Sequence, residues 1–230
     1  MAIRRQFPVG ALLNFMLLVF RFCILTFSAL LPVINPLGSA LMFLGVVGKV
    51  PSDKFGLLAR KVAVSTVIFL LIIELAGATI LAFFGISLPV VQVAGGLVLA
   101  AMGWQLLNAK DKDSTQTAAE AGGSGPVEEK IFYPLTFPIS AGPGCIVVML
   151  TLSAHASGRQ LVQTVEAHLG IALAIVGLGI SLLLSYAYAP KITAKISPAT
   201  VQGILRVTAF VLLCIGVQIG LAGMRQAFPK

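Results

Sequence analysis

The chain has 230 residues, 58% of them hydrophobic and 10% charged, with a mean hydropathy of +1.00. A soluble domain, about a quarter of whose residues carry charge, is excluded. The net charge of +8 does not point to nucleic acid either, because the Lys and Arg residues flank apolar runs rather than forming a basic stripe.

A helix crossing a bilayer needs about 20 apolar residues, so six crossings and their connections fill the length. The first apolar run extends from about Gly10 to Gly48 behind Arg4 and Arg5. It outlasts a signal-peptide core and lacks an Ala-x-Ala site, which predicts an uncleaved segment. Arg21 interrupts it. Residues before Arg21 are expected to form an interfacial or tilted extension, with Arg21 reaching the headgroups, and the spanning part is expected at about Phe22 to Val47. The second span is predicted at Val62 to Phe84 and the third at Val90 to Asn108, after a break at Gly85 to Pro89. Residues 109–130, with Lys110-Asp-Lys-Asp and Ala121-Gly-Gly-Ser-Gly-Pro, read as a polar linker. Three further spans are predicted at Ile131 to Ala154, Ala167 to Ala189 and Thr200 to Met224.

Charge asymmetry sets an expected orientation. Arg4, Arg5, Arg159, Arg225 and Lys230 fall on one side. Lys49, Lys54, Arg60, Lys61, Lys110, Lys112, Lys130, Lys191, Lys195 and Arg206 fall on the other. The richer side is cytoplasmic, which places the linker inside and both termini in the periplasm of a multi-pass inner (plasma) membrane protein.

The halves echo each other. Pro32 and Asn35-Pro-Leu-Gly38 in the first span answer Pro138 and Gly142-Pro-Gly144 in the fourth. Ile86-Ser-Leu-Pro89 answers Ile196-Ser-Pro198, and Gly103-Trp-Gln105 answers Gly216-Val-Gln218. Three spans per half turn the second half over in the membrane. The expected fold is therefore all-α and polytopic, with six transmembrane helices as two inverted three-helix repeats (1–108 and 131–230, joined by 109–130) and with broken first and fourth helices.

The breaks carry the candidate chemistry. Pro36 and Pro143 remove an N–H and crowd the carbonyl four residues back. Asn35 before Pro36 reads as an N-cap followed by the first helical position, and Gly142 before Pro143 reads so more weakly. Each helix then restarts with N–H groups toward the midplane, a seat for an anion such as a carboxylate. Asn35, Pro36, Gly38, Ser39, Ser140, Gly142, Pro143 and Gly144 are the substrate-binding candidates.

Asn35-Pro-Leu-Gly38, Pro138 with Ala141-Gly-Pro-Gly144, Gly85-Ile-Ser87 and Ala94-Gly-Gly96 together resemble the MarC family (UPF0056) of bacterial inner-membrane proteins, over nearly the whole chain. The resemblance implies a six-span fold, a membrane address and a relation to SnatA-type transporters of small neutral amino acids. The chain has Asn35 where an acidic residue is expected beside the first-span proline.

Glu74 is the one acid deep in a predicted span, hence a candidate proton carrier or the partner of a polar neighbour. Gln92, Gln105 and Gln218 are expected to join helices, and Gly95-Gly96 with Gly216-x3-Gly220 to let helices approach closely. Tyr133, Tyr186 and Tyr188 suit an interfacial belt. His155 and His168, assigned to the fourth loop or its edge, fit no metal site, and Cys23, Cys145 and Cys214 fall in separate runs. No Gly-x4-Gly-Lys-Ser/Thr motif is present, so no cofactor is expected. The residues favour a secondary transporter of a small solute over an enzyme, which lacks a nucleophile with a base in reach. The alternatives are a structural or regulatory membrane subunit and a lipid-phosphate flippase. Membrane lipid is an expected partner, nucleic acid is not, and a homo-oligomer is left open.

Overall fold

The computed structural model describes residues 9–48, 52–108, 127–157 and 160–228. Most of the linker and the first residues of the chain lie outside them. The described residues form helices α1 (Val9–Ile34), α2 (Pro36–Val47), α3 (Ser52–Phe83) and α4 (Leu88–Asn108). A short 3₁₀ turn (Val127–Lys130) and an irregular π-helical segment (Ile131–Ser140) lead into α5 (Pro143–Ser157), α6 (Leu161–Ala187), α7 (Ala189–Lys195) and α8 (Pro198–Ala227).

Among the described residues, five helices are long and apolar enough to cross a membrane. The segment before α5 and α5 itself, bent by 66° to one another, make a sixth crossing if taken as one span. The all-helical, multi-pass architecture is the one the composition requires.

The first span differs from expectation. The long apolar helix runs Leu12–Ile34, so the residues before Arg21 belong to it and Arg21 lies exposed within it. Pro36–Val47 is a separate short helix. The cause is local. A residue before proline is pushed out of the right-handed helical region, and Asn35 instead takes φ 46°, ψ 68°, a left-handed conformation that asparagine tolerates better than most residues. The break therefore follows a helix of spanning length rather than dividing one.

Packing centres on two groups of helices, a pair and a trio. In the first, α4 lies along α8 with glycine against glycine. A Cβ on Gly96 would stand 2.5 Å from the amide nitrogen of Gly220 and 2.6 Å from the carbonyl oxygen of Gly216. In the second, α6 packs against α1 and α3 and is the most enclosed helix, with Ile171, Ile175, Leu178, Leu182 and Tyr186 fully buried. Between the two groups, α5 touches α1, α3, α4 and α6. Tyr133 and Tyr188 are exposed as expected of a belt, but Tyr186 is completely buried. Gln105 and Gln218 are exposed, and of the three glutamines only Gln92 is buried.

Candidate functional site

The two proline–glycine breaks meet. After the first, the Asn35 side-chain oxygen accepts a hydrogen bond from the Gly38 amide at 3.2 Å, capping α2. A Cβ at position 38 would stand 2.9 Å from Asn35 Cγ and closer still to its amide nitrogen, so any side chain there would push the capping asparagine aside. One turn on, the Ser39 hydroxyl lies 2.6 Å from the Ile34 carbonyl and 3.2 Å from the Ile139 carbonyl. That contact ties the start of α2 to the chain ahead of the second break.

The second break is built differently. Tyr133 and Phe137 have extended backbone angles inside the π-helical segment, each preceding a cis proline, Pro134 and Pro138. The Ala141 amide reaches back to the Thr136 carbonyl at 2.8 Å, and the Cys145 amide bonds the Gly142 carbonyl at 2.9 Å to open α5. Ser140 donates to the Leu135 carbonyl at 2.6 Å and shares a 2.7 Å hydrogen bond with the Tyr186 hydroxyl. Both serines thus occupy a carbonyl five residues back, a group that an interrupted helix leaves without its usual partner.

Aromatic side chains close the seam on one side. The Tyr186 ring stacks on Phe43 at 4.6 Å and 9°, and Phe43 meets Phe55 edge-on at 5.1 Å. On the other side, Gly144 sits against Leu99 and Val33. Leu99 is near the middle of α4, whereas Tyr186 is the next-to-last residue of α6. The seam thus extends from the bundle's mid-depth toward the end where α6 finishes, rather than lying at the midplane alone. Ser39, Ser140, Ala141, Cys145 and Tyr186 are all buried, and the three hydroxyls of this seam are all hydrogen-bonded. A cavity of about 150 Å³ lies among α3, α4 and α5, and a groove of about 580 Å³ runs along α8.

The structure brings the candidates Asn35, Pro36, Gly38, Ser39, Ser140, Gly142, Pro143 and Gly144 into this one neighbourhood. Glu74 belongs to a different cluster. It is 3% exposed and pairs with His168 Nδ1. His168 Nε2 lies 3.3 Å from the Ser157 hydroxyl, and Ser153 donates to the Glu74 backbone carbonyl at 3.0 Å. His168 lies inside α6, not in a loop, because that helix begins at Leu161, earlier than its hydropathy suggests. Among the described residues no three His, Cys, Asp or Glu side chains are grouped to hold a metal. Tyr186 and His168 are the residues of these two clusters whose contacts sequence reasoning missed. A tyrosine near a span end reads as a belt residue, and the pairing of Glu74 with His168 spans 94 positions of chain.

Comparison with known proteins agrees with the architecture. The family described as "MarC family integral membrane protein" matches residues 20–228. A UPF0056 membrane protein of Pyrococcus abyssi is 29% identical over 88% of this chain and 94% of its own length. The UPF0056 inner membrane protein MarC of Escherichia coli is 28% identical over 86% of this chain and 91% of its own. The protein of the same name from Citrobacter koseri matches to the same extent. No solved structure matches.

Proposed function

The chain belongs to the MarC family of integral membrane proteins, and from that premise we propose that it is a secondary transporter of a small solute, with small neutral amino acids as the candidate class. It resides in the inner membrane with both termini periplasmic and residues 109–130 cytoplasmic. The observation that carries the reading is the joining of the two helix breaks through Ser39 and Ile139. Breaks in membrane helices persist where protein or a solute supplies partners to the freed backbone groups, and paired breaks at the junction of inverted halves are where secondary transporters bind their cargo.

In this mechanism α2 and α5 move as the two halves rock. The carbonyls now occupied by Ser39 and Ser140 are exchanged for contacts to solute, and the N–H groups at the starts of α2 and α5 face its carboxylate. Glu74, paired with His168, carries the coupling proton, a role the missing acid at position 35 leaves to it. The reading supposes no enzymatic activity and no cofactor, with lipid and the solute as partners.

The test is uptake of labelled glycine, alanine and serine by proteoliposomes, with and without a pH gradient. Saturable uptake that rises with the gradient is expected, and vesicles no more permeable than protein-free controls would sink the reading. The close burial of Ser39, Ser140 and Tyr186 favours a second reading, a structural or regulatory membrane subunit, which predicts no uptake at all. A lipid-phosphate flippase would scramble labelled lipid in the same vesicles.

A further inference from the structure

Three polar side chains in the interior have no hydrogen-bonding partner among the described residues: Thr26, Gln92 and Thr151. Gln92 and Thr26 are completely buried, and neither the oxygen nor the nitrogen of the Gln92 amide is paired. The Thr151 hydroxyl is likewise shielded from solvent and unpaired. A buried amide or hydroxyl without a partner is costly, above all in a membrane protein whose surroundings offer no substitute.

The three belong to different helices, and their positions coincide. Gly144 of α5 touches both Leu99 of α4 and Val33 of α1. From that common point Gln92, Thr26 and Thr151 each stand seven residues away along their own helices, about two turns, hence on nearly the same face. The directions agree as well. Gly95 meets Val147, so α4 and α5 run past one another in opposite senses and Gln92 comes level with Thr151. Gly170 lies against Val19 to Cys23 and Gly177 against Phe27, so α1 runs parallel to α6. Helix α6 in turn follows α5 after a short turn and folds back along it, which carries Thr26 to the same level.

We propose that Thr26, Gln92 and Thr151 form a binding site for a small polar solute without net charge. Together the groups offer hydrogen-bond donors and acceptors in similar number. The acidic or basic residues on these three helices are Arg21 and His155, both exposed. Arg206 and Arg225 of α8, whose Gly223 lies against Gln92, are exposed as well, and Glu74 of the neighbouring α3 is already paired with His168. A ligand with net charge would therefore enter without a free buried counter-charge. The site is separate from the seam between the breaks. It gives the transport reading, on which its biological sense rests, a place of recognition two turns from Gly144.

The experiment is thermal unfolding of the purified full-length protein in detergent, with glycine as the probe and succinate and sodium chloride as charged controls. Glycine raises the unfolding temperature of the parent protein, and the controls leave it unchanged. In Gln92→Met, Thr26→Val and Thr151→Val, apolar groups of similar shape replace unpaired polar ones. These variants are expected to fold at least as stably as the parent, while the apparent glycine affinity falls about tenfold or more for Gln92→Met. A full glycine response in all three variants, a loss of stability in them, a response to sodium alone, or no glycine response in the parent overturns the assignment. A shift that persists while proteoliposomes show no uptake removes the transport reading and leaves the site standing.

Discussion

The hydroxyl of Ser39 stands between two carbonyl oxygens, that of Ile34 across the first helix break and that of Ile139 just ahead of the second, at 2.6 and 3.2 Å. One side chain thus connects parts of the chain that are 100 positions apart. Ser39→Ala should lower stability by about 1 kcal/mol. Ser140→Ala should cost more, about 1–3 kcal/mol, because it takes from the fully buried Tyr186 hydroxyl one of its two serine partners, leaving only Ser39. Unfolding midpoints in detergent measure both, and an unaltered Ser140→Ala midpoint would show that the seam contributes nothing to the fold.

Asn35 and Gly38 act as a unit. Asn35→Ala loses a cap and places alanine at positive φ, each costing about 1 kcal/mol. Asn35→Gly keeps the backbone at ease and forfeits only the cap. Gly38→Ala forces the Asn35 side chain aside and should be damaging in the parent, yet nearly harmless in the Asn35→Gly background. Additive effects in that double-mutant cycle would refute the coupling.

Glu74, buried on α3, pairs with the half-buried His168 of α6. His168→Ala leaves the buried carboxyl without its partner and should destabilise by about 1–3 kcal/mol. Glu74→Gln should abolish the response of transport to a pH gradient and leave solute exchange intact. Gradient-driven uptake that survives Glu74→Gln takes the pair out of the coupling mechanism.

Glycines that look alike in the sequence should differ sharply. Gly96→Ala drives a methyl into the backbone of α8 and should weaken the α4–α8 pair, whereas a Cβ at Gly203 meets nothing within 4 Å. Gly203→Ala should raise stability by about 0.5–1 kcal/mol through helix propensity. Equal responses at the two sites would contradict the packing.

Orientation is open to chemical labelling. With Cys23, Cys145 and Cys214 replaced by alanine or serine, a cysteine at Ser124 should resist an impermeant thiol reagent applied to intact cells and react after lysis. Reaction in intact cells reverses the assigned topology.

The legible parts of this fold were those written in composition and in proline. Apolar run lengths give the crossings, Asn35-Pro36 and Gly142-Pro143 give the breaks, and Gly96 with Gly216 and Gly220 give a close helix contact. Less legible was whatever depends on tertiary proximity. Hydropathy does not say that the first helix includes Arg21, because a single exposed arginine interrupts an apolar run without ending the helix. Nor does it distinguish Tyr186, stacked on Phe43, from Tyr188 a turn-edge away in solvent or lipid. The neighbourhood of Glu74 was hidden because its partner lies on another helix, and the level shared by Thr26, Gln92 and Thr151 emerges only from helix register.

The burial of the Ser39–Ser140–Tyr186 seam has an electrical meaning. With each hydroxyl engaged and Phe43 laid flat against Tyr186, that part of the bundle offers ions no wet thread to follow. A bilayer holding this molecule should therefore keep its voltage, with current through the protein at the level of bare lipid. Dielectric integrity of this kind is what the proposed transport role requires between cycles, and a few hydroxyl groups and two stacked rings would supply it at this seam.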